Sequence, residues 1–207
     1  MMELEVRNVL VGQLYTNCYL VKNSDSGEGF IVDPGDDEVK IFANIAKMEM
    51  KPKAILLTHG HIDHMGAAEA LKERFHIPIY CSEKEEQVLL SPINNLSAML
   101  GMGNVTVCAD QFLKDGQRFE VAGVPMQFIL TPGHTPGSGC FYIKDANLLF
   151  SGDTIFYCSR GRTDFPGGSE AQLLKSIREK LLVLPEETDV FAGHMEQTTI
   201  GNEKRIY

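Results

Sequence analysis

Long hydrophobic runs are missing from this chain. No stretch of its 207 residues reaches the roughly 18 consecutive apolar residues that span a bilayer, so no membrane partner is expected. The opening "MMELEVRNVLVGQLY" lacks the basic flank and small-residue cleavage site of a secretory signal, and the expected compartment is the cytoplasm. Positive charge is also scarce. With 19 Lys and Arg against 28 Asp and Glu, a formal charge of -9, the chain does not offer the many cationic contacts that binding to phosphate backbones requires, and nucleic acid is set aside as a partner. Cysteine is sparse and scattered. Cys18, Cys81, Cys108, Cys140 and Cys158 are odd in number and form no CxxC pair, which argues against a disulfide framework or a thiolate zinc site. They read as small, mostly buried hydrophobes, with Cys158 set apart because it follows Asp153 by five residues.

No linker, low-complexity tract or close repeat divides the chain, and residues 1–207 are expected to form one domain with a sizeable core. Strand-like apolar runs open it: "EVRNVLVG", "NCYLV" and "GFIVDPG", with the turn-rich "NSDSGEG" between the last two. A helix is expected from about Asp37 to Met48, then a doubly buried strand "KAILLTH" and a helix running on from Asp63 through Phe75. "IPIYC" reads as a further strand, and residues 82–104 as a helical stretch broken by Pro92 and Gly101. The second half repeats the β-rich pattern in "RFEVAG", "PMQFILTPG", "GCFYIK", "NLLFSGD" and "DVFAGH", with a helix across "SEAQLLKSIREKLLVL". Two β-rich halves, each with helices, suggest sheets packed face to face with helices outside.

Three of the six histidines fall in one heptapeptide, Thr58–His64, "THGHIDH". His134 in "TPGHTPG", Asp153 in "FSGDT" and His194 in "FAGH" follow, and each group ends an apolar strand-like run. If these strand ends are aligned, the loops converge on one rim, where rigid scaffolds commonly present catalytic groups. His76, after Phe75 at a helix end, is the outlier and reads as solvated. Imidazoles and carboxylates are the donors accepted by zinc, iron and manganese. Seven donors exceed the needs of one ion and suit two, held about 3.5 to 4 Å apart as in binuclear hydrolases.

The motif "HGHIDH", with His134, Asp153 and His194 downstream, resembles the metallo-β-lactamase-fold hydrolases, and "IVDPG", "TPGHTPGS", "SGDTIF" and "GRTDFPGG" look like the glyoxalase II group within them. The resemblance spans nearly the whole chain. It implies an α+β fold, an αββα sandwich of two mixed sheets flanked by helices, with a binuclear site at one edge. It assigns His59, His61 and His134 to one metal and Asp63, His64 and His194 to the other, with Asp153 bridging both. Asp33 matches an outer carboxylate that orients a ligating imidazole, an alternative to plain Asp-Pro-Gly turn chemistry. The implied cofactors are two divalent ions, zinc first, with iron or manganese as alternatives.

A water held between two such ions can act as hydroxide near neutral pH, and the ions can polarise a carbonyl. The resemblance therefore implies a hydroxyacylglutathione hydrolase-like thioesterase acting on S-acylglutathiones such as S-lactoylglutathione, with catalytic roles for Asp63 and Asp153. No counterpart is expected here to the C-terminal helical domain that helps grip glutathione in full-length glyoxalase II. Arg160 and Arg162 are candidates to meet a substrate carboxylate, against a structural pairing of Arg162 with Asp164. "SRGRTDFPGG" also resembles persulfide dioxygenases, which use one iron and the residues matching His59, His134 and Asp153. A non-catalytic module that keeps metal for stability is the second alternative. A β-lactamase, a ribonuclease and a flavodiiron protein of this fold match less well, for want respectively of an export signal, a basic RNA-binding surface and a flavin domain.

Overall fold

In the computed structural model, which describes residues 3–207, the chain builds two six-stranded sheets in an α+β arrangement. The first contains β1 (Leu4–Val11), β2 (Thr16–Asn23), β3 (Glu28–Val32), β4 (Lys51–Leu56), β5 (Ile79–Ser82) and β6 (Gln111–Leu113), in that order across the sheet. The second contains β7 (Arg118–Val121), β8 (Val124–Leu130), β9 (Gly139–Ile143), β10 (Leu148–Gly152), β11 (Asp189–Ala192) and β12 (Thr198–Thr199), also in sequence order. Antiparallel and parallel pairs occur in both.

Side-chain alternation explains the layering. On β2, β3 and β4, Tyr19, Val21, Phe30, Val32, Ala54 and Leu56 enter a core shared with Phe128, Phe141 and Phe150 of the second sheet. Their neighbours Leu20, Ile31 and Ile55 point the other way, onto Ile41 and Ile45 of α1 (Glu38–Lys47) and Leu71 of α3 (Ala68–Phe75). The second sheet does the same with Ile129, Cys140, Tyr142 and Leu149, which pack on Leu173 of α5 (Glu170–Ser176) and on Ile177 and Leu181 beyond it. Because both faces are covered, these strands read as continuous apolar runs rather than alternating ones. Cys18, Cys81 and Cys140 are buried as expected, whereas Cys108 and Cys158 are exposed.

Strand direction brings the active loops together. β3, β4 and β5 are mutually parallel. β8, β10 and β11 also share one direction, since β9 is antiparallel to both β8 and β10 and β11 is parallel to β10. The two sets end on the same rim, where the Gly139 amide donates to Thr58 O (2.9 Å), the Asn17 amide to Gly193 O (2.8 Å) and the Tyr19 hydroxyl to Ala192 O (2.7 Å).

Three expectations change. The helix after Asp63 is two pieces, α2 (Ile62–Met65) and α3. The Ala67 amide donates to Pro34 O at 2.9 Å instead of to a helix carbonyl, and Gly66 lies so close to Gly35 O that a Cβ there would come within 2.3 Å. Residues 82–104 contain only a 3₁₀ turn, Glu83–Glu85, and α4 (Glu86–Leu89) before giving way to turns. Asn95 holds those turns by donating to Leu89 O and Val105 O. The short strands β6 and β12, absent from the sequence reading, add edges to the sheets. A last helix, α6 (Ile200–Glu203), follows β12. No helix among the described residues is long and apolar enough to cross a membrane.

Phe150 is fully buried and packs against Tyr19 and Phe191 at ring separations of 5.4 and 5.3 Å. Phe150→Ala should lower the unfolding free energy by about 3 to 5 kcal/mol, measured by urea denaturation. Val183→Ala, at a position 68% exposed, should change it by less than about 0.5 kcal/mol.

Candidate metal centre

Five rim loops supply the cluster. Asp33 follows β3; His59, His61, Asp63 and His64 follow β4; His134 follows β8, Asp153 follows β10 and His194 follows β11. Potential ligand atoms gather in three overlapping trios: His59, His61 and His134; His59, His64 and Asp153; and Asp63, His64 and His194. Within each trio the atoms lie within 4.8 Å of one another. His76 lies elsewhere, exposed just past the end of α3.

Hydrogen bonds fix which ring nitrogens are bare. The Asp33 carboxylate is buried and accepts from the Thr58 amide (2.8 Å), the Thr58 hydroxyl (2.6 Å) and His64 Nδ1 (3.0 Å). Because the Thr58 hydroxyl gives its proton to Asp33, its oxygen accepts from His59 Nδ1 at 3.1 Å. His134 Nδ1 donates to Arg162 O at 2.7 Å. In His59 and His134, therefore, the proton sits on Nδ1 and the Nε2 lone pair is free, and His64 likewise turns Nδ1 to its outer partner and Nε2 to the centre, the arrangement by which outer partners orient imidazole ligands.

Those lone pairs face each other with little to satisfy them. His59 Nε2, His61 Nε2 and Asp153 Oδ1 are buried without a hydrogen-bond partner, a costly condition in a protein interior. His134 Nε2 approaches His61 Nδ1 at 2.9 Å, and His64 Nε2 approaches His194 Nε2 at 3.4 Å. Asp153 stands between the groups, with Oδ1 3.3 Å from His64 Nε2 and Oδ2 3.5 Å from His134 Nε2 and 3.6 Å from His194 Nε2. Cations at the centre would satisfy these atoms together, so the donor set fits divalent metal.

The electrostatics agree. Burial holds His59 well below the usual imidazole range and His61 at about 3, with neighbouring histidines adding to the effect, so both are neutral donors at pH 7. Burial also lowers His134, against the pull of Asp153. For Asp63, burial acts upward but is outweighed by His64 and His194, and the carboxyl settles at about 2. Asp153 is held far below its ordinary range because His64, His134 and His194 overcome the same burial. His64 moves upward: Asp63, Asp153 and Asp33 overcome its burial, and without metal a proton on His64 supplies part of the positive charge these carboxylates demand.

Backbone closeness matters at two positions. Gly152 has φ +48°, and a Cβ there would fall 2.1 Å from Thr58 Oγ1; at Gly193 it would fall 2.4 Å from Asp153 Oδ1. Only glycine lets both strand ends come this near.

Arg160 is hydrogen-bonded to Glu170, and Arg162 forms a bidentate pair with Asp164 at 2.9 and 2.7 Å, its guanidinium 4.4 Å above the Phe165 ring. Both arginines nevertheless line a cleft of about 420 Å³ over His61, Asp63, His134, Asp153 and His194. Three supporting residues escaped the sequence reading. Thr58 relays His59 to Asp33, Thr16 donates to Asp63 Oδ2 at 3.1 Å, and fully buried Glu85 accepts the Gly60 amide, between His59 and His61, at 2.9 Å. Spacing carries no signal for Glu85, which is one of three glutamates in "SEKEEQ".

A family model described as the metallo-beta-lactamase superfamily matches residues 11–194. The chain is 36% identical to hydroxyacylglutathione hydrolase GloC of Haemophilus influenzae, over 98% of this chain and 96% of that protein. It is similar to the crystal structure of BLEG-1 B3 metallo-beta-lactamase, with a TM-score of 0.92, 39% identity and 97% coverage of both chains. It is also similar to TTHA1623 in a di-iron-bound form, with a TM-score of 0.85, 34% identity and coverage of 97% and 98%.

Burial raises Glu85 to about 7, against hydrogen bonds from Gly60, Thr135 and Gly137 that favour its ionised form. A carboxyl whose pKa is higher folded than unfolded favours the fold fully below the unfolded value, and that contribution fades as pH rises through the folded value. The stability of the metal-free chain relative to Glu85→Gln should therefore fall by about 3 kcal/mol from roughly pH 4.5 to 7.5, measured by urea unfolding at a series of pH values. A difference independent of pH would mean that Glu85 is ionised throughout.

Proposed function

The chain belongs to the metallo-beta-lactamase superfamily, and on that premise we propose that it is a binuclear, metal-dependent thioester hydrolase acting on S-acylglutathiones of the S-lactoylglutathione type. The observation that carries this reading is the pair of trios, His59–His61–His134 and Asp63–His64–His194, with Asp153 within 3.6 Å of a histidine from each. A single iron would need only His59, His134 and Asp153, which leaves the Asp63–His64–His194 trio without a role. The name of the Haemophilus influenzae relative supports the acyl-thiol class of substrate.

In this reading His59, His61 and His134 would hold one cation and Asp63, His64 and His194 the other, with Asp153 available to both. Two divalent cations bound there, zinc first with iron or manganese as alternatives, would supply Lewis acidity that activates water and polarises the acyl carbonyl. The chain's own groups prepare the site. Asp33 and Thr58 keep the Nδ1 protons of His64 and His59 turned outward, Arg162 O does the same for His134, and the Thr16 hydroxyl steadies Asp63. Leu96, Phe156 and Phe165 line the cleft with apolar surface, which limits competing water and strengthens the electrostatic interactions inside. Arg160 and Arg162 stand at its edge, in exposed pairs that are individually weak and can be exchanged for substrate carboxylates.

The test is thiol release from S-lactoylglutathione by purified protein of known metal content. Release that disappears in Asp153→Ala and persists in His76→Ala is the expected result. Oxygen uptake with glutathione persulfide at about one iron per chain, without thioester cleavage, would favour the dioxygenase reading instead. Inactivity in both assays would return the chain to the class of metal-stabilised binding modules.

A further inference from the structure

The metal cleft does not end above the metals. A groove of about 270 Å³ runs from Asp63 between the β1–β2 turn and the loop around residues 100–102, and it shares Leu14, Asp63 and Leu100 with the cleft. Its walls include Val11, Leu14, Leu100 and Met102. Leu14 is 51% exposed and Leu100 and Met102 are each 44% exposed, an apolar surface left open to water beside a polar centre.

Charge is unequally divided along this combined space. The groove contains Asp36 and Asp63 and no Lys, Arg or His, whereas both arginines of the cleft, Arg160 and Arg162, lie outside it. With Asp63 engaged at the metal centre, an anionic group in the groove would still face the Asp36 carboxylate, with no Lys or Arg of the groove to offset it. A chain of methylene groups would instead cover Leu14, Leu100 and Met102 and remove apolar surface from water.

We infer that the groove between Leu14 and Leu100–Met102 receives the acyl arm of the thioester and selects uncharged, apolar acyl chains longer than lactoyl. This rests on the thioesterase reading above and orients its substrate: the acyl chain extends along the groove, and the carboxylate-bearing thiol half lies toward Arg160 and Arg162. Together the cleft and groove fall within the usual range of small-molecule sites, about 300 to 1,000 Å³, so both halves of such a thioester have room. Lactoyl and acetyl groups leave the groove empty, and longer acyl groups fill it.

The test holds the thiol constant and varies the acyl group. With the metal-loaded protein, kcat/KM is compared for S-acetyl-, S-butanoyl-, S-hexanoyl- and S-succinylglutathione. The expected result is a rise of roughly twofold to fourfold per added methylene until the groove is full, with the succinyl compound well below the butanoyl one of the same chain length. Replacing Leu14 and Leu100 together by serine, at half-exposed positions that do not support the core, is expected to flatten the series. Cleavage of all the thioesters at similar rates, or a preference for succinyl, would overturn the acyl groove and leave the thioesterase reading standing. Cleavage of none would overturn the thioesterase reading and this inference with it.

Discussion

One buried carboxylate holds the site's geometry. Asp33 binds the backbone and hydroxyl of Thr58 and the Nδ1 of His64, so it joins the end of β3 to the end of β4 and reaches both halves of the histidine cluster. Its position requires an unusual backbone, φ +50°, which a non-glycine residue adopts at some cost. The return is a pair of imidazoles whose protons are directed away from the centre. Without that carboxylate, His59 and His64 could each place a proton on the nitrogen that has to donate a lone pair.

The two sheets make this arrangement possible. Parallel strands must cross over by long connections, and here those crossovers return each chain segment to the start of the next strand, leaving the chemistry at the shared C-terminal rim. The Phe30, Phe128, Phe141 and Phe150 core fixes the sheets together beneath that rim, and Gly152 and Gly193 let their ends close to within contact. Core packing and site geometry are thus a single constraint. A shift of one sheet against the other would separate Asp153 from His64.

The sequence foretold this rim better than the segments around it. "THGHIDH" and the three later ligand candidates end apolar runs, and each lies at a strand end on one rim. The sandwich was legible because burial on both faces leaves continuous apolar strands such as "KAILL". The break between Met65 and Ala68 was not, because it depends on Pro34 O and Gly35, about thirty residues distant in sequence. Glu85 was hidden for a similar reason: its partner Gly60 is 25 residues away, and a charged residue in a charged stretch reads as solvated. The pairing of Arg162 with Asp164 follows from local spacing and was anticipated beside its alternative role.

The central claim is that two cations share this donor set. Anomalous diffraction from crystals of the protein with its native metal, recorded at the zinc, iron and manganese edges, tests it directly. The account predicts two peaks about 3.5 to 4 Å apart, one bounded by His59, His61 and His134 and the other by Asp63, His64 and His194, with Asp153 between them. A single peak bounded by His59, His134 and Asp153, with Asp63 and His194 turned away, would contradict it.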